Sequence, residues 1–126
     1  MHMKIQESAE NYLETILILT KKNGFVRSVD IAHELCFSKA SVSVAMKSLR
    51  EQGFVTVDPD GGIYLTESGQ GIADTMYERH ELIANVLISL GVEKDIAYED
   101  SCKIEHVIST QTFKKIKEFM ERQQSK

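Results

Sequence analysis

At 126 residues, with 42% hydrophobic and 27% charged side chains, the chain has the composition of one folded domain or two small units sharing a core, and general disorder is excluded. A net charge of −4 argues against nonspecific coating of nucleic acid, although charge can still be segregated along the sequence. No apolar run approaches the ~20 residues of a membrane span and no secretory leader is visible, so a cytoplasmic protein without a membrane partner is expected.

One proline and seven glycines point to a mainly helical chain with few interruptions. In the first segment Ile5, Ala9, Tyr12, Leu13, Ile16 and Leu19 recur at helical spacing, and Gly24 suits the position just past a helix end. In "RSVDIAHEL", Ser28 is the expected N-cap, with Ile31, Ala32 and Leu35 forming a short apolar face. Cys36 follows and is expected to be a small core residue. Then "FSKASVSVAMKSLREQGFV" offers Ser38 as N-cap, the stripe Val42, Met46 and Leu49, and Gly53 as terminator.

The periodicity changes in "VTVDPDGGIYL". Two short arms flank Pro59, Asp60, Gly61 and Gly62, which predicts a small β-hairpin. Thr66 is placed to cap a long helix reaching Leu90, with the stripe Ile72, Met76, Ile83, Leu87 and Leu90 and with Gly91 as its stop. A further helix is expected from Glu93 to Ile108. A last one carries Phe113, Ile116 and Met120 after Ser109 and Thr110.

Helix, short helix, turn, second helix and hairpin is the order of a winged helix-turn-helix, whose second helix enters the major groove of DNA. Here that helix carries Ser38, Lys39, Ala40, Ser41, Ser43, Lys47 and Arg50, and no acidic residue stands between Phe37 and Arg50. Hydroxyls and amines are the groups expected at phosphates and base edges. The plain alternative is a solvated helix, but serine is a mediocre helix former and three on one exposed helix ask for a reason. The "DPDGG" turn is acidic, so any contact of the wing with DNA is expected to come from its backbone.

Chemistry of another kind is written in "YEDSCKIEHVIS". Cys102, Glu105 and His106 stand at i, i+3 and i+4 and would share one face of a helix. Thiolate, carboxylate and imidazole together suit a divalent transition metal. His80 falls inside the apolar stripe of the long helix, four residues after Met76 and three before Ile83, where a lone histidine is more often a core residue than a ligand. Its helix must pack on a neighbour, however, and Cys102 and His106 are candidates to lie there. Asn11 and Glu14 are three apart on the first helix, where Glu7 and Glu10 also suit a solvated acidic face. If Glu14 joins the site, the metal links the two halves of the molecule.

With these segments in view, the order of elements, "RHELI" and "CKIEHVIS" resemble the metal-dependent repressors of the diphtheria toxin repressor and manganese transport regulator type. The likeness runs from about Ser8 to Phe119. It implies a homodimeric transcriptional repressor that binds double-stranded operator DNA when loaded with Fe(II) or Mn(II), without an organic cofactor. It implies a winged helix-turn-helix over residues 1–70 and an all-helical dimerisation and metal-binding domain over 71–126. The SH3-like domain of longer relatives is not expected, so the chain resembles the short form.

Carried over singly, Cys102, Glu105 and His106 match ligand positions, Cys102 as in iron-type members. His80 matches a ligand position in both types, and Glu14 one of the manganese type. Asn11 departs from the Asp or Met of both patterns. Ala84 and Tyr98 stand where iron-type members hold further ligands, which puts a second site in doubt. On this reading metal stabilises one placement of the two halves and so sets the spacing of the recognition helices near ~34 Å, or a multiple of it. Dimerisation is expected to use Leu87, Ile88, Ile96, Ile108, Phe113 and Phe119. Two rival readings remain: a winged-helix regulator that senses something other than metal, and a small metalloenzyme, for which no separate candidate base is found.

Overall fold

A computed structural model describes residues 5–124, with side chains from Ser8 onward. The side chains of Ile5 and Glu7, expected to be apolar and acidic positions of the first helix, lie outside the described residues. The elements follow in the order α1 (Ile5–Asn23), α2 (Ser28–Leu35), α3 (Lys39–Glu51), β1 (Val55–Val57), β2 (Ile63–Leu65), α4 (Glu67–Ser89), α5 (Lys94–Ile104) and α6 (Thr110–Gln124). They form two compact units, which divide within α4 between Thr75 and Met76.

The first unit is a helix-turn-helix with a wing. The stripe of α1 delivers Leu13 and Ile16 to a core that also takes Val26, Ile31, Val42, Met46 and Leu49, all 4% exposed or less. Apolar residues three and four apart on each helix explain why these three helices pack, since each stripe must find a partner surface. At the start of α2 the structure corrects the expected cap. Arg27 holds the N-cap position and Ser28 is the first helical residue, with the Arg27 N–H donating to Asp30 Oδ2 at 2.9 Å. An acidic side chain in the first turn meets the helix dipole and binds a free amide at once.

Cys36 is likewise corrected: it is exposed, not a core residue. It terminates α2 with φ 57° and ψ 38°, a left-handed conformation that ends the helix before Phe37. The second helix of the pair starts as expected, Ser38 Oγ accepting the Ser41 N–H at 3.1 Å.

β1 and β2 pair antiparallel in the register Val55–Leu65, Thr56–Tyr64 and Val57–Ile63. The hairpin is tied back to the helices where Ile63 N–H donates to Val26 O at 2.8 Å. Its junction with α4 is close. Thr66 Oγ1 donates to Gly53 O at 2.6 Å and accepts the Gly69 N–H at 3.2 Å, while Thr66 N–H donates to Phe54 O at 3.0 Å.

The second unit has a thin core. Met76, Ile83, Ala84 and Ala97 are buried, whereas α6 buries no residue and Leu90, Val107 and Phe119 are more than half exposed. Leu90, expected at the end of the α4 stripe, lies one residue past the helix and is 75% exposed. The expected helix from Glu93 to Ile108 is also shorter. α5 ends at Ile104, and Val107 and Ile108 both turn their amides back to the Ile104 carbonyl at 3.0 and 3.3 Å. Glu105 is therefore the C-cap of α5, and His106 sits in a tight turn leading to α6.

Candidate metal centre and nucleic-acid interface

The shortened α5 changes how the candidate ligands meet. Cys102, Glu105 and His106 were expected to share a helical face; instead Glu105 and His106 are adjacent residues of a turn, and their side chains converge there. Glu105 is a carboxylate with no exposed surface. One oxygen, Oε2, lies 3.2 Å from His80 Nδ1, and the other, Oε1, lies 3.2 Å from His106 Nε2. The two imidazoles are 14% and 7% exposed. An anion taken wholly out of water is costly unless cationic or hydrogen-bonding groups accompany it. A carboxylate bracketed by two ring nitrogens is also a donor set suited to a divalent transition ion, so the residues present fit such a group.

His80 is held on both sides of this contact. Ser101, fully buried on α5, donates its hydroxyl to the His80 carbonyl at 2.5 Å. The Tyr98 ring lies 5.3 Å from the His80 ring, and its hydroxyl donates to Glu81 Oε2 at 2.8 Å. That hydrogen bond, followed by burial and the Glu81 charge, raises the Tyr98 pKa above the ordinary 10.0. Ala84 is fully buried and carries no donor atom.

Cys102 occupies the last turn of α5, half-buried, and belongs to no compact group of three or more candidate ligand atoms among the described residues. In the first unit Glu14 is 3% exposed, an unusual setting for a carboxylate on a helix beside Leu13 and Thr15. Asn11 is half-buried one turn earlier, and its carbonyl accepts the Thr15 hydroxyl at 2.7 Å.

Also in the first unit, Ser38, Lys39, Ala40, Ser41, Ser43, Lys47 and Arg50 are all exposed, and the Ser38 hydroxyl donates to Ser41 Oγ at 2.9 Å. Among the described residues none of the three cations enters an ion pair. Lys47 and Arg50 flank a notch of about 150 Å³ completed by Ser28, Ser43, Met46 and Val57. The wing carries the opposite sign: Tyr64 has its pKa raised by a hydrogen bond to Asp58 and by the charges of Asp58 and Asp60.

Sequence reasoning noted Arg79 and Glu81 only as part of the "RHELI" segment and assigned no role to them or to Ser101. That segment was the available signal for a role, because contacts between α4 and the end of α5 have no periodicity to announce them.

Comparison with known proteins agrees with this architecture. Residues 4–63 match the iron dependent repressor N-terminal DNA binding domain, and residues 66–126 match the iron dependent repressor metal binding and dimerisation domain. The transcriptional regulator MntR of Escherichia coli O157:H7 is 32% identical over 121 residues, covering 96% of this chain and 78% of that protein. The structure of the manganese regulator SloR aligns with a TM-score of 0.78 at 28% identity, over 90% of this chain and 53% of that one. A manganese-dependent transcriptional repressor in complex with manganese aligns with a TM-score of 0.76 at 28% identity, over 86% of this chain and 50% of that one. The chain thus spans about half the length of those two solved chains. With its helix-turn-helix half and its helical half each matched by the corresponding domain, and with 96% of this chain aligned to a transcriptional regulator at 32% identity, this chain belongs to the family of iron-dependent, metal-responsive transcriptional repressors.

Proposed function

We propose that the chain is a cytoplasmic, non-enzymatic repressor that binds double-stranded operator DNA as a homodimer when loaded with Fe(II) or Mn(II). The observation that carries the reading is the buried Glu105 carboxylate with His80 and His106 on its two oxygens, each at 3.2 Å. In this reading His80, Glu105 and His106 hold the ion, joined by Cys102 from α5 and by Glu14 and Asn11 from α1. The burial of Glu14 supports its inclusion. A bound divalent cation supplies positive charge that neutralises these carboxylates.

The protein's own residues do the rest. Ser101 and Tyr98 hold His80 in place by its carbonyl and its ring. The residues up to about 70 read DNA: Ser38, Lys39, Ala40, Ser41 and Ser43 are offered to base edges and phosphates, and Lys47 and Arg50 to phosphates. Residues 71–126 dimerise and bind metal. Exposed Leu90, Ile96, Val107 and Phe119 support a second copy packing on this half, since a monomer rarely leaves such apolar surface in water. Metal and DNA are then coupled through one favoured placement of the two halves, and ~3 kcal/mol of coupling corresponds to about 150-fold in DNA affinity.

The test is a mobility-shift titration on duplexes selected from a random pool by the metal-loaded protein, at fixed salt because salt alone moves affinity. Retention with Mn(II), or with Fe(II) under anaerobic conditions, and release by chelator are expected. Equal retention in chelator would establish the regulator that does not sense metal. Turnover of a hydrolytic or redox substrate without DNA binding would establish the metalloenzyme.

A further inference from the structure

We infer that Arg79 is a positioning residue for the metal centre: its guanidinium grips the turn that carries Glu105 and His106 and ties that turn to α6. The inference rests on the metal-centre reading above and adds a part to it. Arg79 precedes His80 on α4. Its Nη1 donates to the Glu105 main-chain oxygen at 3.2 Å, and its Nη2 donates to Thr110 Oγ1, at the first residue of α6, at 3.4 Å. The Phe113 ring, one turn further along α6, lies 5.1 Å from the guanidinium carbon. One side chain therefore spans three elements.

The consequence for Glu105 is a double hold from consecutive residues. Arg79 fixes its main chain while His80 faces its carboxylate at 3.2 Å. Helix ends leave carbonyls without intrahelical donors, so a cation at the end of α5 also meets the negative end of that helix. The connector from Glu105 to Ser109 lies outside any helix or strand. Groups that orient ligands from behind commonly change metal affinity by 10–100-fold when removed. The planar fork matters, because its two terminal nitrogens donate separately to the Glu105 carbonyl and to Thr110 Oγ1, whereas a lysine ammonium is a point donor.

The experiment is a Co(II) titration of the full chain, read by visible absorbance and calorimetry, on wild type, Arg79→Met, Arg79→Lys and Lys117→Met. Lys117 is the control: it joins α6 to α4 through Glu78 at 2.6 Å and touches neither Glu105 nor His106. Arg79→Met is expected to weaken Co(II) binding by about 10–100-fold and to alter the Co(II) band shape. Arg79→Lys should fall between it and wild type, and Lys117→Met should match wild type. Circular dichroism on each sample confirms folding; if Arg79→Met does not fold, Arg79→Lys carries the test. Unchanged affinity and spectrum in the folded Arg79 variants overturn the inference, as does an equal loss in Lys117→Met, which would make the effect one of α6 packing alone. Failure of the wild type to bind Co(II) overturns the metal-centre reading itself.

Discussion

Gly69 and Gly71 lie two residues apart near the start of α4, and the structure predicts opposite outcomes for replacing each by alanine. Helix propensity alone favours both changes by about 0.5–1 kcal/mol. At Gly71 an added Cβ meets nothing within 4 Å, so the gain should be realised. At Gly69 the same carbon would stand 2.0 Å from the Phe54 carbonyl oxygen and 3.0 Å from its carbon, where real Cβ contacts stay at 3 Å or more. The obstacle is main chain, so Phe54 must retreat by about 1 Å.

That carbonyl already accepts the Thr66 N–H at 3.0 Å, and the neighbouring Gly53 carbonyl accepts Thr66 Oγ1 and Ser68 Oγ at 2.6 and 3.1 Å. Overpacking typically costs about 1–3 kcal/mol, and each weakened hydrogen bond adds about 1 kcal/mol. The clash therefore wins, with a net loss of roughly 2 kcal/mol. For a chain of this size that is a fall in Tm of about 5–10 °C, against a rise of a few degrees for Gly71→Ala. Thermal unfolding followed by circular dichroism on the two variants decides the matter. A Gly69→Ala protein as stable as Gly71→Ala would refute the packing argument.

Four further outcomes are expected. Cys36→Gly should stabilise the chain by about 0.5–1 kcal/mol in urea unfolding, because the left-handed cap at φ 57° costs a residue with a Cβ more than it costs glycine. Glu105→Gln should weaken Mn(II) binding, measured calorimetrically, by on the order of a hundredfold or more; retained affinity would remove Glu105 from the site. Lys47→Ala or Arg50→Ala should weaken binding to all duplexes alike and lower the salt slope by about 1 each, whereas a change confined to one sequence would make either residue a base reader. Tyr98 should ionise above 10.0 in a tyrosinate absorbance titration, and Glu81→Gln should lower that value. Because the folded pKa is the higher one, the linked stabilisation is complete below pH 10 and fades as pH rises through the folded value.

The DNA-binding half was the more legible part of the sequence, and the reasons are local. The stripe Val42, Met46 and Leu49 repeats with the helical period, Ser38 caps it, and the Asp-Gly-Gly turn forces a hairpin; each signal acts over a few residues. The candidate ligands are legible as residue types but not as geometry. Spacing put Glu105 and His106 on one helical face, while the main chain leaves the helix at Ile104. No proline or glycine marks that exit, and the Arg79 side chain that reaches from α4 to the Glu105 carbonyl leaves no local sequence signal. Cys36 differs for a local reason: its apolar character suggests the core, but it is the left-handed C-cap at which α2 stops. Short-range patterns announce themselves; long-range grips do not.

The exit of the chain from α5 at Ile104 bears on how selectivity for an ion can drift. Glu105 and His106 hang from a turn of a few residues between two helices that keep their own faces. A substitution at Val107 or Ile108 would reshape the surroundings of Glu105 and His106 without breaking a helical period on either side. On the function proposed above, such changes would alter which ion the turn favours while the helix-turn-helix unit keeps its own core.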